Sequence, residues 1–284
     1  MQDRLKIALS LAPALTLIVV LFFGGLAVGV LRSFNYMPVI GLDRPNLDAY
    51  RGLLTASVLK SLGLTLYIAA TSTLIATVLA VAAALLLRRS FPGRAAASFL
   101  LQLNLTIPHL VGAIGVLYLF SQSGSFARLA YEFSLIRKPA DFPALVFDPY
   151  AIGVIATYVW KEVPFITVIT LATLQTLGDD HEVVARTLGA TRNQTIRHVL
   201  LPQILPGVLA AAAIVFAFTF GAYEIPALLG SSFPQTLPVM AYRSFTDADL
   251  SARPQAMALA VLIAGVSALM IAVSTRALRG KRHY

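Results

Sequence analysis

Six stretches of the chain stay apolar well past the length of a soluble element: Ile7–Leu31, Ser61–Leu87, Ala95–Phe120, Tyr150–Leu174, Gln203–Leu229 and Gln255–Thr275. Each reaches or exceeds the roughly 20 helical residues that cross a hydrocarbon core of about 30 Å. The runs are continuous, whereas barrel strands would read as short alternating segments. The pattern predicts an all-α, polytopic membrane protein with six transmembrane helices, forming one domain over residues 1–284. Composition agrees: 58% of residues are apolar and 12% charged, too little polar cover for a water-facing surface. The first run follows Arg4 and Lys6 as a secretory signal would. It is longer than the 7–15 residue core of a signal, and Val30-Leu31-Arg32 offers no small-x-small cleavage site. A retained helix is expected.

The net charge of +9 takes its meaning from its distribution. With both termini on one side, that side carries Arg4, Lys6, Arg88, Arg89, Arg94, Arg186, Arg192, Arg197, Arg276, Arg279, Lys281 and Arg282. Asp3, Asp179, Asp180 and Glu182 oppose them. The loops on the other side, 32–60, 121–149 and 230–254, are close to balanced. By the positive-inside rule both termini, the Arg88–Arg94 turn and the 175–202 loop are expected in the cytoplasm. The charge then reads as a topology signal, so lipid is an expected partner and nucleic acid is not. There are no cysteines, hence no disulfide framework and no thiolate metal site.

Breakers interrupt the later helices: Pro108, Pro164, Pro206 and Pro226, with Gly112, Gly115 and Gly221 near them. Within a bilayer a proline is tolerated where protein or a watery cavity satisfies the freed carbonyls. As a set these breakers predict a pathway through helices three to five, although each alone also suits ordinary helix packing. A charge at the bilayer centre costs about 2.5–3.5 kcal/mol, so ionisable groups there should face a cavity or a partner. The candidates are Asn104, His109, Lys161, Glu162, Tyr223 and Glu224. His109 also reads as a helix-packing residue, and Glu224 as a hydrated group near the interface. Lys161 and Glu162 are adjacent, so they cannot share one helix face and need different partners. Glu224 with Tyr223 suits a small cationic or hydroxylated solute, such as a polyamine. His109, His181, His198 and His283 are scattered, and neither a zinc pair nor a nucleophile elbow is present. No catalytic or metal-binding residues are expected.

The loop Gln175–Pro202 has its own internal grammar. Asp179 followed three residues later by Glu182 resembles a capping box opening Asp180–Leu188, which Gly189 then closes. Thr191 with Gln194 is a second capping pattern opening Arg192–Leu200, and Pro202 is expected to end that helix. Val183, Val184, Thr187 and Leu188 form an apolar strip beside polar Glu182 and Arg186. Two capped helices with an elbow and an exposed apolar strip are built to dock into something.

Ala185, Gly189-Ala190 and Val199-x-Leu201-Pro202 resemble the signature loop of permease subunits of ATP-binding-cassette importers. In that pattern Glu-Ala-Ala is followed after three residues by Gly, and after nine more by Ile-x-Leu-Pro. Aligned on Gly189, this chain has Val183-Val184-Ala185 in place of Glu-Ala-Ala, with Glu182 one position early, and Val199 in place of Ile. The stretch Gly221–Gly230 is similar to permeases of polyamine, opine and phosphonate type.

The resemblance implies a type I importer permease fold in a bacterial inner membrane. Glu182, Val183, Val184, Ala185, Leu188, Gly189, Ala190, Val199, Leu201 and Pro202 would couple the chain to a separate ATPase. The implied partners are two ATPase subunits, a second permease (identical or related) and a periplasmic solute-binding protein. ATP and Mg²⁺ would belong to the ATPase, since this chain has no Gly-x-x-x-x-Gly-Lys-Ser/Thr loop. An ion-coupled secondary transporter would explain the broken helices and Glu224 but leave the docking loop without a role. An accessory membrane subunit without its own pathway is the other alternative.

Overall fold

A computed structural model describes residues 2–178 and 180–280. In chain order, α1 (Gln2–Leu17) runs through a π-helical turn at Ile18–Phe23 into α2 (Gly24–Ser33). A short α3 (Asp48–Arg51) precedes α4 (Ala56–Leu87). Then come α5 (Arg94–Thr106), α6 (His109–Phe120), α7 (Ser125–Glu132) and the long α8 (Ile152–Leu177). After α9 (Asp180–Thr187) and α10 (Arg192–Gln194), a π-helical turn over Thr195–Leu200 leads into α11 (Leu201–Gly221). The chain closes with α12 (Glu224–Leu229), α13 (Leu237–Thr246) and α14 (Arg253–Gly280). Six helical segments are long and apolar enough to cross a membrane: Leu9–Ser33, Ala56–Leu87, His109–Glu132, Ile152–Leu177, Arg192–Gly221 and Leu250–Arg276.

Three departures from the apolar pattern trace to proline. The expected third span breaks where Ile107 turns extended (φ −78°, ψ 121°), because the ring of Pro108 excludes a helical conformation for the residue before it. The expected fifth span ends at Gly221, with Ala222 extended. A continuous helix would drive the ring of Pro226 into the Ala222 carbonyl, four residues back. Restarting at Glu224 puts Pro226 in a first turn, where no intrahelical N–H is needed. Pro202, expected as a stop, does not end its helix. It sits in the first turn of α11, and the wider π-helical turn at Thr195–Leu200 just before it shifts the hydrogen-bond register.

The chain divides into two compact units. In one, Met1–Lys60 with Leu237–Gly265, the Ser33 hydroxyl donates to the Val30 carbonyl at 2.6 Å and lies 2.7 Å from the Tyr50 hydroxyl. Phe34 packs on the Tyr50 ring at 5.5 Å, and the Arg253 guanidinium lies 5.4 Å from the Phe245 ring centre. The large apolar side chains from Leu9 to Phe23 stay exposed, as suits a helix whose solvent is lipid.

The other unit, Ser61–Thr236 with Val266–Tyr284, packs α4 against α8 and α11. Ser61, Thr65, Ala69, Ser72, Ala76, Ala80 and Ala84 recur at three- and four-residue intervals, and all are buried. A stripe of small side chains lets neighbouring backbones approach closely, which is how membrane helices gain packing energy when lipid removes the hydrophobic incentive. Ala76 and Ala80 meet Ile166 of α8 and Ala211 and Val215 of α11. Lower on the same face, Ala84 meets Leu174, Ile204 and Val208. Replacing Ala80 with Leu should therefore overpack the α4–α8–α11 seam and cost about 1–3 kcal/mol. The check is a lower thermal midpoint in detergent for Ala80→Leu, with no shift for Leu86→Ala on the exposed face of the same helix.

Candidate functional site: a proline-broken interior and a docking elbow

Pro108 and Pro164 set the chemistry of the interior. Proline withholds the hydrogen bond its nitrogen would give to the carbonyl four residues back. For Pro108 that carbonyl belongs to Asn104, and for Pro164 to Trp160. Each is supplied from the other helix. Lys161 on α8 donates from Nζ to the Asn104 carbonyl at 2.6 Å, to Asn104 Oδ1 at 3.1 Å and to the Ile107 carbonyl at 2.7 Å. Asn104 on α5 returns its amide Nδ2 to the Trp160 carbonyl at 2.6 Å. Lys161 and Asn104 are both buried, and all three ammonium protons have acceptors. The cation also stands at the C-terminal, negative end of α5. Opposite, Gly112 of α6 faces Trp160, and a Cβ there would lie 3.0 Å from the indole. Glycine is what lets α6 close on α8.

Glu162 points elsewhere on the same helix. Its Oε1 lies 3.2 Å from His109 Nε2, and the His109 ring packs on Phe218 of α11 with centroids 4.9 Å apart. These side chains, with Lys161 and Phe165, border a cavity of about 220 Å³. The structure thus brings Asn104, His109, Lys161 and Glu162 together at the α5–α6 break. Tyr223 and Glu224 do not line that cavity. Glu224 is exposed in the first turn of α12, where its charge suits the positive end of the helix. A larger space of about 550 Å³, bordered by Val111, Gly115, Leu119, Ile152, Ala156 and Trp160, has no charged side chain and does not suit a polar solute. Among the described residues, no group of three or more His, Asp or Glu is placed to hold a metal ion.

The second feature is the 175–202 loop. Asp179, the expected cap of α9, lies outside the described residues. At the other end of α9, Gly189 takes φ +84°, its N–H donates to the Arg186 carbonyl at 2.9 Å, and Ala190 N–H donates to the Ala185 carbonyl at 3.0 Å. Those two bonds are a Schellman closure. Thr191 and Gln194 form the reciprocal cap of α10: Thr191 N–H donates to Gln194 Oε1 at 2.8 Å, and Gln194 N–H to Thr191 Oγ1 at 3.4 Å. Ala185 is buried at the root of the elbow, Ala190, Val199 and Leu201 are half-buried, and Pro202 is exposed. Val183, Val184 and Leu188 stand 55%, 57% and 82% exposed on a polar surface. That is the strip expected to dock.

Glu182 also binds two arginines; the capping role expected of it involves Asp179, outside the described residues. Its Oε1 accepts from Arg186 Nη2 at 2.6 Å, and its Oε2 lies 2.8 Å from Arg88 Nη1. In the sequence Arg88 counts only toward topology. Its partners lie far along the chain, 90 residues away in the case of Gly178, so no local pattern marks it.

This fold and elbow define the membrane-spanning subunit of a type I ATP-binding-cassette importer. The structure superposes on the crystal structure of a bacterial ABC transporter that imports the acidic polysaccharide alginate, with TM-score 0.81 and 19% identity over 98% of this chain and 96% of that one. It also superposes on an inward-facing MetNI methionine transporter, with TM-score 0.59 and 19% identity over 78% and 94%. The chain belongs to the family of binding-protein-dependent transport system inner membrane components, whose profile matches residues 74–281. It is a multi-pass transport subunit, not an enzyme. It is 32% identical to the molybdenum transport system permease ModB of Mycobacterium tuberculosis over 248 residues, 84% of this chain and 87% of that one. It is 26% identical to the sulfate transport system permease CysT of Salmonella typhimurium, over 66% of this chain and 64% of that one.

If Lys161 repairs the α5 break, Lys161→Met keeps the buried stem but takes its donor from the Ile107 carbonyl and leaves the Asn104 carbonyl only the long bond from Ile107 N–H at 3.3 Å. The expected loss is about 1–3 kcal/mol, read as a lower unfolding midpoint in detergent. Asn104→Ala should cost a similar amount. The double variant should fall well short of the sum, since both belong to one network.

Proposed function

We propose that the chain forms the solute path of an importer for a tetrahedral oxyanion of the molybdate or sulfate kind, driven through its 175–202 elbow by a separate ATPase. One observation carries the coupling half. Gly189 at φ +84° holds two capped helices in a fixed elbow that presents Val183, Val184 and Leu188 outward. An apolar strip of that kind on a polar loop fits a groove in a partner. Glu182, Ala185, Ala190, Val199, Leu201 and Pro202 then hold the elbow's shape from within. The oxyanion half rests on the relatives, which are named for molybdenum and for sulfate. It replaces the polyamine expectation, which the names of these relatives do not support.

In this reading two ATPases hold ATP and Mg²⁺, a second permease completes the path, and a binding protein delivers the anion. The alginate transporter solved in complex with its alginate-bound periplasmic protein supports the binding-protein part of that arrangement. His109, Glu162, Tyr223 and Glu224 border the path, while Asn104 and Lys161 hold its wall in shape. Both termini and the elbow face the cytoplasm.

The test is uptake by the assembled importer in sealed vesicles. Molybdate or sulfate should accumulate with ATP inside and binding protein outside, and spermidine should not. Accumulation on an ion gradient without ATP would sink the reading. In the same preparation Gly189→Val, which costs roughly 1–2 kcal/mol of backbone strain, and Leu188→Asp should each lose the co-purifying ATPase. Wild-type retention in both would make the elbow a plain linker.

Orientation is checked separately. Thr191→Cys in this cysteine-free chain should resist an impermeant thiol reagent in intact cells and react after permeabilisation. Labelling of intact cells would reverse the topology.

A further inference from the structure

The α9 helix hangs between two glycines. Gly178 precedes it at φ +66° and ψ −168°, Gly189 follows at φ +84°, and neither has another group within 4 Å of where a Cβ would stand. Both conformations belong to glycine; Gly189 is held by its Schellman bonds, while the open space around Gly178 leaves the α8 end compliant. An element meant to transmit a push needs a tie from the side. Arg88, one residue beyond the C-terminus of α4, is placed to be that tie. Its Nη1 lies 2.8 Å from Glu182 Oε2, and its Nη2 reaches the Gly178 carbonyl at 3.4 Å. One guanidinium fork therefore spans the first hinge and the first turn of α9. The Arg88 and Glu182 side chains are 14% and 16% exposed, so the pair is largely withdrawn from water and poorly screened. Arg186, the other partner of Glu182, is 62% exposed and sits on α9 itself, so it cannot connect that helix to anything.

Behind Arg88 stands the buried small-residue face of α4. Leu87 and Ala84 are buried, and Ala84 packs with Leu174 of α8 and with Ile204 and Val208 of α11. A displacement of α9 delivered through Arg88 reaches the α4 seam directly, without first bending at Gly178.

We propose that Arg88 is a positioning residue for coupling: it holds α9 to the end of α4 through Glu182, so that ATPase movement reaches the spans. Glu182 is thereby an internal anchor and not a contact for the ATPase. The proposal rests on the docking reading of the elbow.

The experiment uses the assembled importer in vesicles, with molybdate and sulfate as the solutes supplied. Co-purified ATPase and the stimulation of hydrolysis by loaded binding protein are measured together. Arg88→Gln should keep the ATPase bound but lower stimulated hydrolysis and uptake about fivefold or more, the scale of an allosteric coupling term. Arg88→Glu and Glu182→Arg should each do the same, and the charge-swapped double variant should recover a large part of the loss. A residue that only stabilises the fold would show no such rescue. Wild-type coupling in Arg88→Gln, or a swapped pair no better than its worse single, overturns the proposal. If Leu188→Asp meanwhile sheds the ATPase, the docking reading survives that failure. A silent Leu188→Asp overturns the docking reading, and the tie along with it.

Discussion

A proline in a membrane helix leaves a carbonyl that lipid cannot satisfy, and the interior of this protein is arranged around two of them. The carbonyls of Asn104 and Trp160 face one another across the α5–α8 contact, and each is met by a donor from the opposite helix. Unpaired, either would carry a desolvation penalty of a few kcal/mol. Paired, they fix the relative register of two helices that apolar packing alone would leave free to slide. The position of α6 follows from this, because it starts at the same break and closes on Trp160 through Gly112. His109 is then set at the first turn of α6 facing Glu162.

A buried lysine in such a place is costly unless every proton has an acceptor. Here the acceptors are created by the broken helix that the lysine repairs, so the break and the charge compensate one another. This arrangement also removes Lys161 as a free cation in the cavity beside it. Among the residues bordering that cavity, an anion would meet a His109 already engaged with Glu162 and a lysine already fully bonded. On the proposed path, a cavity with no free cation would leave selection to the separate binding protein.

The six spans and the two caps of the 175–202 loop were legible because they are written in local patterns: long apolar runs, Thr191 three before Gln194, and a glycine where a helix must stop. Membrane depth brought out Asn104, Lys161 and Glu162 as residues needing partners, and the adjacency of the last two required those partners to differ. Their purpose was not legible, since it depends on which carbonyl lies opposite which side chain. Counting four residues back from Pro108 and Pro164 names Asn104 and Trp160, but not the helix that rescues each. Pro202 misled for a related reason. A stop inferred from one missing N–H ignores the π-helical turn that can absorb it. Arg88 could not be singled out at all, because an arginine ending a span is already accounted for by topology.

These two regions divide stiffness from compliance. Where α5, α6 and α8 meet, hydrogen bonds tie helix to helix, and the α4 seam adds close packing of small side chains. Such a body resists internal shear, and an interface built this way answers a load by shifting as a unit and not by continuous deformation. The elbow is the reverse. Its two arms are stiff and meet at a closed Gly189, but Gly178 makes the connection to α8 soft. A stiff arm on a soft connection can follow a partner's surface without distorting it, yet a soft connection alone would dissipate the motion before it reached the spans. A lateral attachment resolves that conflict, and it has to sit near one end of the arm so that the other stays free to engage. Glu182 lies in the first turn of α9, while Leu188 at the far end remains the most exposed apolar residue of the loop.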